Sequence, residues 1–266
     1  MLYVNKNNIY SEERIMKKTL AIVFALILTV CCIASCGSKK DDAADEKEKL
    51  YMCTNATFPP YEYYDGEDIV GIDAEIAQKI ADKLDMELVI EDREFNSIIS
   101  YVNSHDNAFG MAGMTVTPDR QESVDFTTSY AKGIQSVIVA EDSDIKTLDD
   151  LSGKKIGVQL TTTGDIYASD EFGSDYVVQY NKATDCVLGL KNGDVDAVII
   201  DNAPAQVFVE ENDGLKLLDT DYADEDYAIA VKKGDTELLN KLDKAITELI
   251  EDGTVQQIVD KYIPSK

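Results

Sequence analysis

Residues 113–120 (GMTVTPDR) bring Gly113, Thr115 and Arg120 together at a strand end that runs into a turn opened by Pro118. The chemistry within reach of such a set is capture of a small zwitterion. A planar guanidinium pairs a carboxylate through two parallel hydrogen bonds. Amide N–H groups at a helix start add donors without adding charge. A glycine lets the backbone approach closely, and Thr115 contributes a hydroxyl. An Asp or Glu must then answer an ammonium, and aromatic rings pack the remaining side chain. Taken alone, the segment reads just as well as a capped turn carrying a surface arginine. Nucleophilic and metal chemistry have less material. The single histidine, His105, lies in the polar stretch 103–107 and reads as an exposed loop residue, so no histidine-based triad or histidine-rich metal cluster can be assembled. Carboxylate catalysis stays open, although no isolated acid/base pair calls for it.

Positioning these groups requires alternating strands and helices. Strands are expected at 50–54, 87–90, 108–114, 136–140, 155–160, 176–180, 195–200 and 227–231. Between them, Ile76, Ala77, Ile80, Ala81 and Leu84 form one helical face that Asp73 can cap. Phe95, Ile98, Ile99 and Val102 mark a second helix. Helices are also expected at 165–169 and 184–190, the latter ended by Asn192-Gly193. Leu238 to Ile250 stripe a long helix closed by Gly253, and Val255, Ile258, Val259 and Tyr262 stripe a last one. This is the rhythm of an α/β protein, and two units of about 100 residues each fit the length.

The 266 residues carry 25 Lys+Arg against 51 Asp+Glu, a formal charge of −26. A nucleic-acid footprint is basic, so that class is excluded, and unaided docking on an anionic membrane is disfavoured. The apolar run 20–33 is shorter than the ~20 residues of a comfortable membrane span. Lys17 and Lys18 precede it and Ala34 and Ser35 follow, as in a signal peptide. Met16 opens a more ordinary signal peptide than Met1 does, so 1–15 reads as an upstream extension from a misassigned start. Ile33-Ala34-Ser35-Cys36 resembles the bacterial lipobox, in which the cysteine receives a diacylglycerol and becomes the mature N-terminus. Multiple acyl chains anchor stably where one is marginal. Residues 37–49 cannot bury a core and read as a flexible tether. Cys53 and Cys186 remain after cleavage and read as buried small hydrophobes rather than as a disulfide.

The segment 113–130 (GMTVTPDRQESVDFTTSY) resembles the signature of the family-3 extracellular solute-binding proteins, the polar amino-acid receptors of ABC importers. Further resemblances follow in order: 54–63 (TNATFPPYEY), 71–77 (GIDAEIA), 150–159 (DLSGKKIGVQ), 193–201 (GDVDAVIID), 227–234 (YAIAVKKG) and the Gly253…Lys261-Tyr262 ending. Together they cover about 50–264. The resemblance implies a two-lobed periplasmic-binding-protein fold of type II, each lobe a sheet flanked by helices, with a two-strand hinge. Lobe 1 is expected at 50–132 and 226–266, and lobe 2 at 133–225.

Carried over residue by residue, the resemblance implies that Arg120 clamps a ligand α-carboxylate, with the Thr115 and Thr163 amides helping. Asp201 takes the α-ammonium, aided by the Gly113 carbonyl and the Thr115 hydroxyl; Asp201 also reads as an N-cap for 203–211. Phe58 and Phe95, which otherwise read as core, sandwich the side chain, and Asn55, Ala112 and Thr162 line the pocket. Two departures stand out. Thr161 occupies a position that is usually Gly, which puts the bend of the Thr162–Thr163 loop in doubt. Asn55 replaces an Asp common in relatives that take glutamine or basic amino acids, which removes a charge from the pocket. A polar neutral ligand such as glutamine or cystine is therefore expected first. A basic one comes next, with Tyr61, Tyr63 and Tyr64 as cation–π faces. The expected protein is a monomeric lipoprotein on the outer side of the cell membrane. It needs neither cofactor nor metal, and its partners are a free amino acid, ABC transporter membrane subunits and the membrane that holds acylated Cys36. The alternatives are an enzyme on the same fold, such as a dehydratase, or the sensing subunit of a signalling system.

Overall fold

The computed structural model describes residues 47–219 and 222–264. The signal segment, Cys36 and all but the end of the tether lie outside the described residues. Two mixed sheets carry the fold. The first has the order β5 (Glu87–Asp92), β1 (Lys49–Thr54), β6 (Ala108–Gly110), β14 (Ala230–Lys232), β7 (Val124–Phe126). The second has the order β10 (Val177–Tyr180), β9 (Ile156–Gln159), β11 (Ala197–Asp201), β8 (Ala131–Ala140), β12 (Leu215–Leu217). The first three strands of each sheet run parallel. A small antiparallel sheet joins β2 (Thr57–Phe58), β3 (Glu62–Asp65) and β4 (Asp68–Val70).

Alternation along the strands decides which helices cover which face. On β1, Leu50 and Met52 enter one apolar cluster with Ile72, Ile76 and Ile80 of the Ile72–Leu84 helix. Cys53 enters another with Ile98, Tyr101 and Val102 of the Ile98–Ser104 helix. Successive side chains on a strand point to opposite faces, so one short apolar run serves both layers. The second sheet repeats the logic. Ile138, Val198 and Ile200 pack toward the Ala183–Asn192 and Asn202–Glu211 helices. Val137, Val139, Ile156, Val158 and Ile199 pack with Ala168 of the Thr163–Phe172 helix. Each fully buried Leu, Ile or Val contributes about 1.5–3 kcal/mol.

The chain crosses between the sheets at two places. Residues 127–130 lead from β7 into β8, whose first half pairs with β13 (Asp224–Tyr227) before its second half joins the second sheet. Ala228 and Ile229 then lead from β13 back to β14. The single strand expected at 227–231 is therefore two strands in different sheets. The strand expected at 108–114 likewise ends at Gly110, because the chain leaves the sheet to turn at Gly113, whose φ of 53° lies in the left-handed region. The small sheet β2–β3–β4, with β7 and β12, lay below the resolution of the sequence pattern. Three of these strands have three residues, one has two and one has four, and they are bounded by polar turns.

Asp73 is not the expected cap. Gly71 holds the N-cap position with no side-chain bond, and a Cβ there would run into the Tyr61 carbonyl. Asp73 instead turns inward, fully buried. Its Oδ2 accepts from the Gly113 amide at 2.9 Å and from the Tyr130 hydroxyl at 2.8 Å. Burial pushes its carboxyl up to about 6, and burial and Asp73 itself push the adjacent buried Glu62 well above the usual carboxylate range. A carboxyl whose folded pKa is raised lends stability below its unfolded pKa and withdraws it as the pH climbs through the folded value. For Asp73 the swing is about 3 kcal/mol. Thermal denaturation followed by circular dichroism should therefore show Tm falling from about pH 4 to about pH 6. Asp73→Asn, which keeps an acceptor oxygen, should flatten that decline.

Candidate ligand-binding site

One cleft, enclosing roughly 500 Å³ of atom-free space partly open to solvent, is lined by Asn55, Phe58, Phe95, Ala112, Gly113, Thr115, Arg120, Thr162, Thr163 and Asp201. These are the ten residues singled out from the sequence, and the volume falls in the range of small-molecule sites. The segments after β1, β5 and β6 supply the first seven. The β9–helix loop and the end of β11 supply the others.

Arg120 lies in the short helix Pro118–Ser123, where Thr117 Oγ1 accepts from the Arg120 amide at 3.2 Å. Its guanidinium is buried. Nη1 donates to the Thr115 carbonyl at 2.7 Å and Nη2 to the Thr161 carbonyl at 3.1 Å. Five N–H donors sit on a guanidinium, so donors remain for a further oxygen ligand. Its Cζ lies 5.3 Å from the Phe95 ring centroid, a cation–π contact that fixes the plane of the fork. Burial pulls the Arg120 pKa down, while the Glu225 and Asp201 carboxylates hold the cation.

Thr161 adopts φ 65°, the backbone region that glycine favours. Such a conformation costs about 1–2 kcal/mol per residue. Local bonds hold it: the Thr161 amide donates to Asp165 Oδ2 at 2.9 Å, and Thr162 Oγ1 donates to the Gln159 carbonyl at 2.7 Å. Thr162 caps the Thr163–Phe172 helix by accepting from the Asp165 amide. Thr163 is the first helical residue, where amides have no intrahelical partner.

Asp201 ends β11 and occupies the N-cap position of the Asn202–Glu211 helix, yet its side chain makes no capping bond. The Tyr227 phenol donates to Asp201 Oδ1 instead. Gly133 makes room for that phenol, since a Cβ at 133 would collide with it. Burial, then the Glu225 charge, raises the Asp201 pKa well above the usual carboxylate range.

Six further residues line the cleft: Gln135, Gln159, Cys186, Val198, Ile199 and Ile200. Gln159 Nε2 donates to Asn55 Oδ1 at 2.8 Å, joining the two sides of the cleft. Gln135 carried a readable signal, a fully buried amide inside the apolar strand 134–140. The tyrosine faces expected at 61, 63 and 64 do not line the cleft. Tyr61 packs behind it between Phe58 and Tyr227, Tyr64 bonds Asp92 at the surface, and Tyr63 belongs to β3 of the small sheet. His105 stacks on Tyr101 with ring centroids 3.9 Å apart, away from the lining, and Arg93 covers the same tyrosine. Cys53 and Cys186 are free thiols, both buried. Among the described residues no group of three or more His, Cys, Asp or Glu is arranged to hold a metal.

Gly113 leaves no room in the wall for a side chain. A Cβ there would stand 2.8 Å from Phe58 Cε1, on a backbone already at positive φ. Gly113→Ala should displace the Phe58 ring and destabilise the fold by about 1–3 kcal/mol. Denaturant unfolding measures this directly.

Comparison with known proteins agrees with the geometry. Residues 50–265 match the bacterial extracellular solute-binding proteins, family 3. The arginine-binding extracellular protein ArtP of Bacillus subtilis (strain 168) is 34% identical over 93% of this chain and 98% of its own. The L-cystine-binding protein TcyJ of Escherichia coli (strain K12) is 28% identical over 82% and 83%. An ancestral arginine-binding protein solved with glutamine bound superposes with a TM-score of 0.78 at 36% identity, covering 82% of this chain and 99% of that one. The fold is that of the type II periplasmic binding proteins. The chain belongs to the bacterial extracellular solute-binding proteins, family 3, and is a solute-binding protein rather than an enzyme.

Proposed function

We propose that this protein captures a free amino acid outside the cell and delivers it to the membrane subunits of an ABC transporter. One observation carries the reading: a buried arginine and a buried aspartate, Arg120 and Asp201, face one cleft of amino-acid size. Arg120 clamps the α-carboxylate, helped by the Thr115 and Thr163 amides. Asp201 receives the α-ammonium together with the Gly113 carbonyl and the Thr115 hydroxyl. Phe58 and Phe95 flank the side chain, with Asn55, Ala112 and Thr162 around it.

Residues 50–132 with 226–266 form one lobe and 133–225 the other, and the two crossings at 127–130 and 228–229 serve as the hinge. A zwitterion held by Arg120 on one lobe and Asp201 on the other favours the closed form, and the transporter reads closure. The protein acts as a monomer, tethered by residues 37–49 to acylated Cys36. Mass spectrometry of the N-terminal peptide should find diacylglycerol on Cys36; an unmodified cysteine removes the anchor.

A polar neutral side chain suits the wall at Asn55 and Gln159, which offer amides without charge. A basic side chain is the second reading, supported by the arginine-binding relatives and by the aromatic faces of Phe58 and Phe95. A thermal-shift screen of the twenty amino acids and cystine identifies the ligand. Arg120→Ala should then weaken the best binder by about a hundredfold or more, the loss expected when one partner of a buried charge pair is removed. Undiminished affinity refutes the carboxylate clamp. Small-angle scattering should show compaction on saturation, and no compaction refutes closure.

A further inference from the structure

Behind the cleft wall a buried carboxyl group holds two of the wall's polar side chains. On β13, Asp224 and Asp226 are exposed, while Glu225 and Tyr227 turn inward. Glu225 is 4% exposed and does not itself line the cleft, but Thr115 and Gln135 do, and both bond to it. Thr115 Oγ1 donates to Glu225 Oε2 at 2.9 Å, and Gln135 Nε2 donates to the same oxygen at 3.2 Å. Main-chain pairing brings these groups together. The Val116 amide donates to the Asp226 carbonyl at 3.0 Å and the Ala228 amide to the Met114 carbonyl at 3.1 Å, which sets Thr115 opposite Tyr227. On the other side the Gln135 amide donates to the Ala223 carbonyl at 2.9 Å. The flanking segments are thus already tied to β13 through their backbones, and the Glu225 carboxyl is not needed as a brace. A carboxyl in the interior is costly where an apolar side chain would pack.

What the carboxyl does control is the sense of a hydrogen bond. A threonine hydroxyl has one proton to give and two lone pairs to receive. The Gln135 amide nitrogen can only donate, so Glu225 Oε2 is an acceptor; reversed, that amide would set oxygen against oxygen. The Thr115 hydroxyl therefore gives its one proton to Oε2 as well. Its lone pairs are left over, and an ammonium, all donor and no acceptor, is the group that can use them. Without Glu225 the same hydroxyl is free to turn and offer its proton instead. We propose that Glu225 is a positioning residue that fixes the Thr115 hydroxyl as an acceptor toward the ligand ammonium, so that the cleft selects α-amino acids over the same acids without the amino group. The inference rests on the reading that brings the α-ammonium to the Thr115 hydroxyl.

Calorimetric titration with L-glutamine, L-arginine and the α-deamino analogue of each measures that preference. The wild-type protein should favour the amino acid. Glu225→Leu, which removes the acceptor, should lower the preference by about tenfold, through weaker binding of the amino acid and not of its analogue. Thr115→Val, which removes the hydroxyl and keeps its shape, should do the same. The double variant should lose no more than either single one, because one residue acts through the other. Glu225→Gln keeps an oxygen for Thr115 and Gln135 and should restore most of the preference. Additive losses in the double variant, or equal weakening of amino acid and analogue in Glu225→Leu, give Glu225 a role independent of the Thr115 hydroxyl and overturn the proposal. If Glu225→Leu does not fold, the other variants decide: a wild-type preference in Thr115→Val, or a lost one in Glu225→Gln, overturns it. If no amino acid binds the wild-type protein, the amino-acid reading falls and this proposal with it.

Discussion

The constraint on which this structure turns is the burial of unlike charges at and behind the wall of one cleft. Arg120, Asp201 and Glu225 are all withdrawn from water. An ion removed from water loses several kcal/mol of solvation, which fixed hydrogen-bond partners and opposite charge must replace. The surroundings meet that requirement group by group. Carbonyls of Thr115 and Thr161 take the guanidinium, the Tyr227 phenol takes Asp201, and Thr115 with Gln135 takes Glu225. The glycines follow from this arrangement. Gly133 admits Tyr227 to Asp201, and Gly113 lets the wall turn beside Phe58.

The layered fold exists to hold those partners still. Each sheet is covered on both faces, so its strand ends are fixed by apolar packing that is indifferent to the chemistry at their tips. Arg120 reaches across to the Thr161 carbonyl from a helix whose cap is a single threonine. The accuracy of that reach comes from the buried Met111 and Met114 and from the Ala228 amide bonded to the Met114 carbonyl, and not from the six-residue helix itself. Asp73 links the same turn to the first long helix through the Gly113 amide. Fold stability and site geometry thus share one buried carboxylate.

Much of this was legible in the sequence because it rests on local pattern. The stripe 76–84, the strand 50–54 and the loop 113–120 announce themselves through periodicity and composition, and resemblance attached roles to residues such as Asp201 that periodicity leaves silent. The failures have a common origin. Strands 227–231 and 108–114 read as continuous because apolar content does not record that a chain changes sheets. Asp73 read as a cap because its position fits one, whereas its partners, Gly113 and Tyr130, lie 40 and 57 residues away. Glu225 was hidden in the acidic run 219–226, where only the alternating burial of β13 separates it from its solvated neighbours. Long-range partnership is what single-sequence reading cannot supply.

The Gln159–Asn55 bond has a consequence of its own. It spans the cleft, and it is already made in the structure described. Asn55 is further committed through its Nδ2 to the Arg93 carbonyl at 2.7 Å. A guest whose side chain stops short of this crossbar leaves it intact. A longer guest must take over one of its ends and return an equivalent hydrogen bond. Selection at that end is therefore a matter of exchange. On the proposed reading, the cleft would measure length by what it must give up, and would favour a terminal group that can stand in for the amide it displaces.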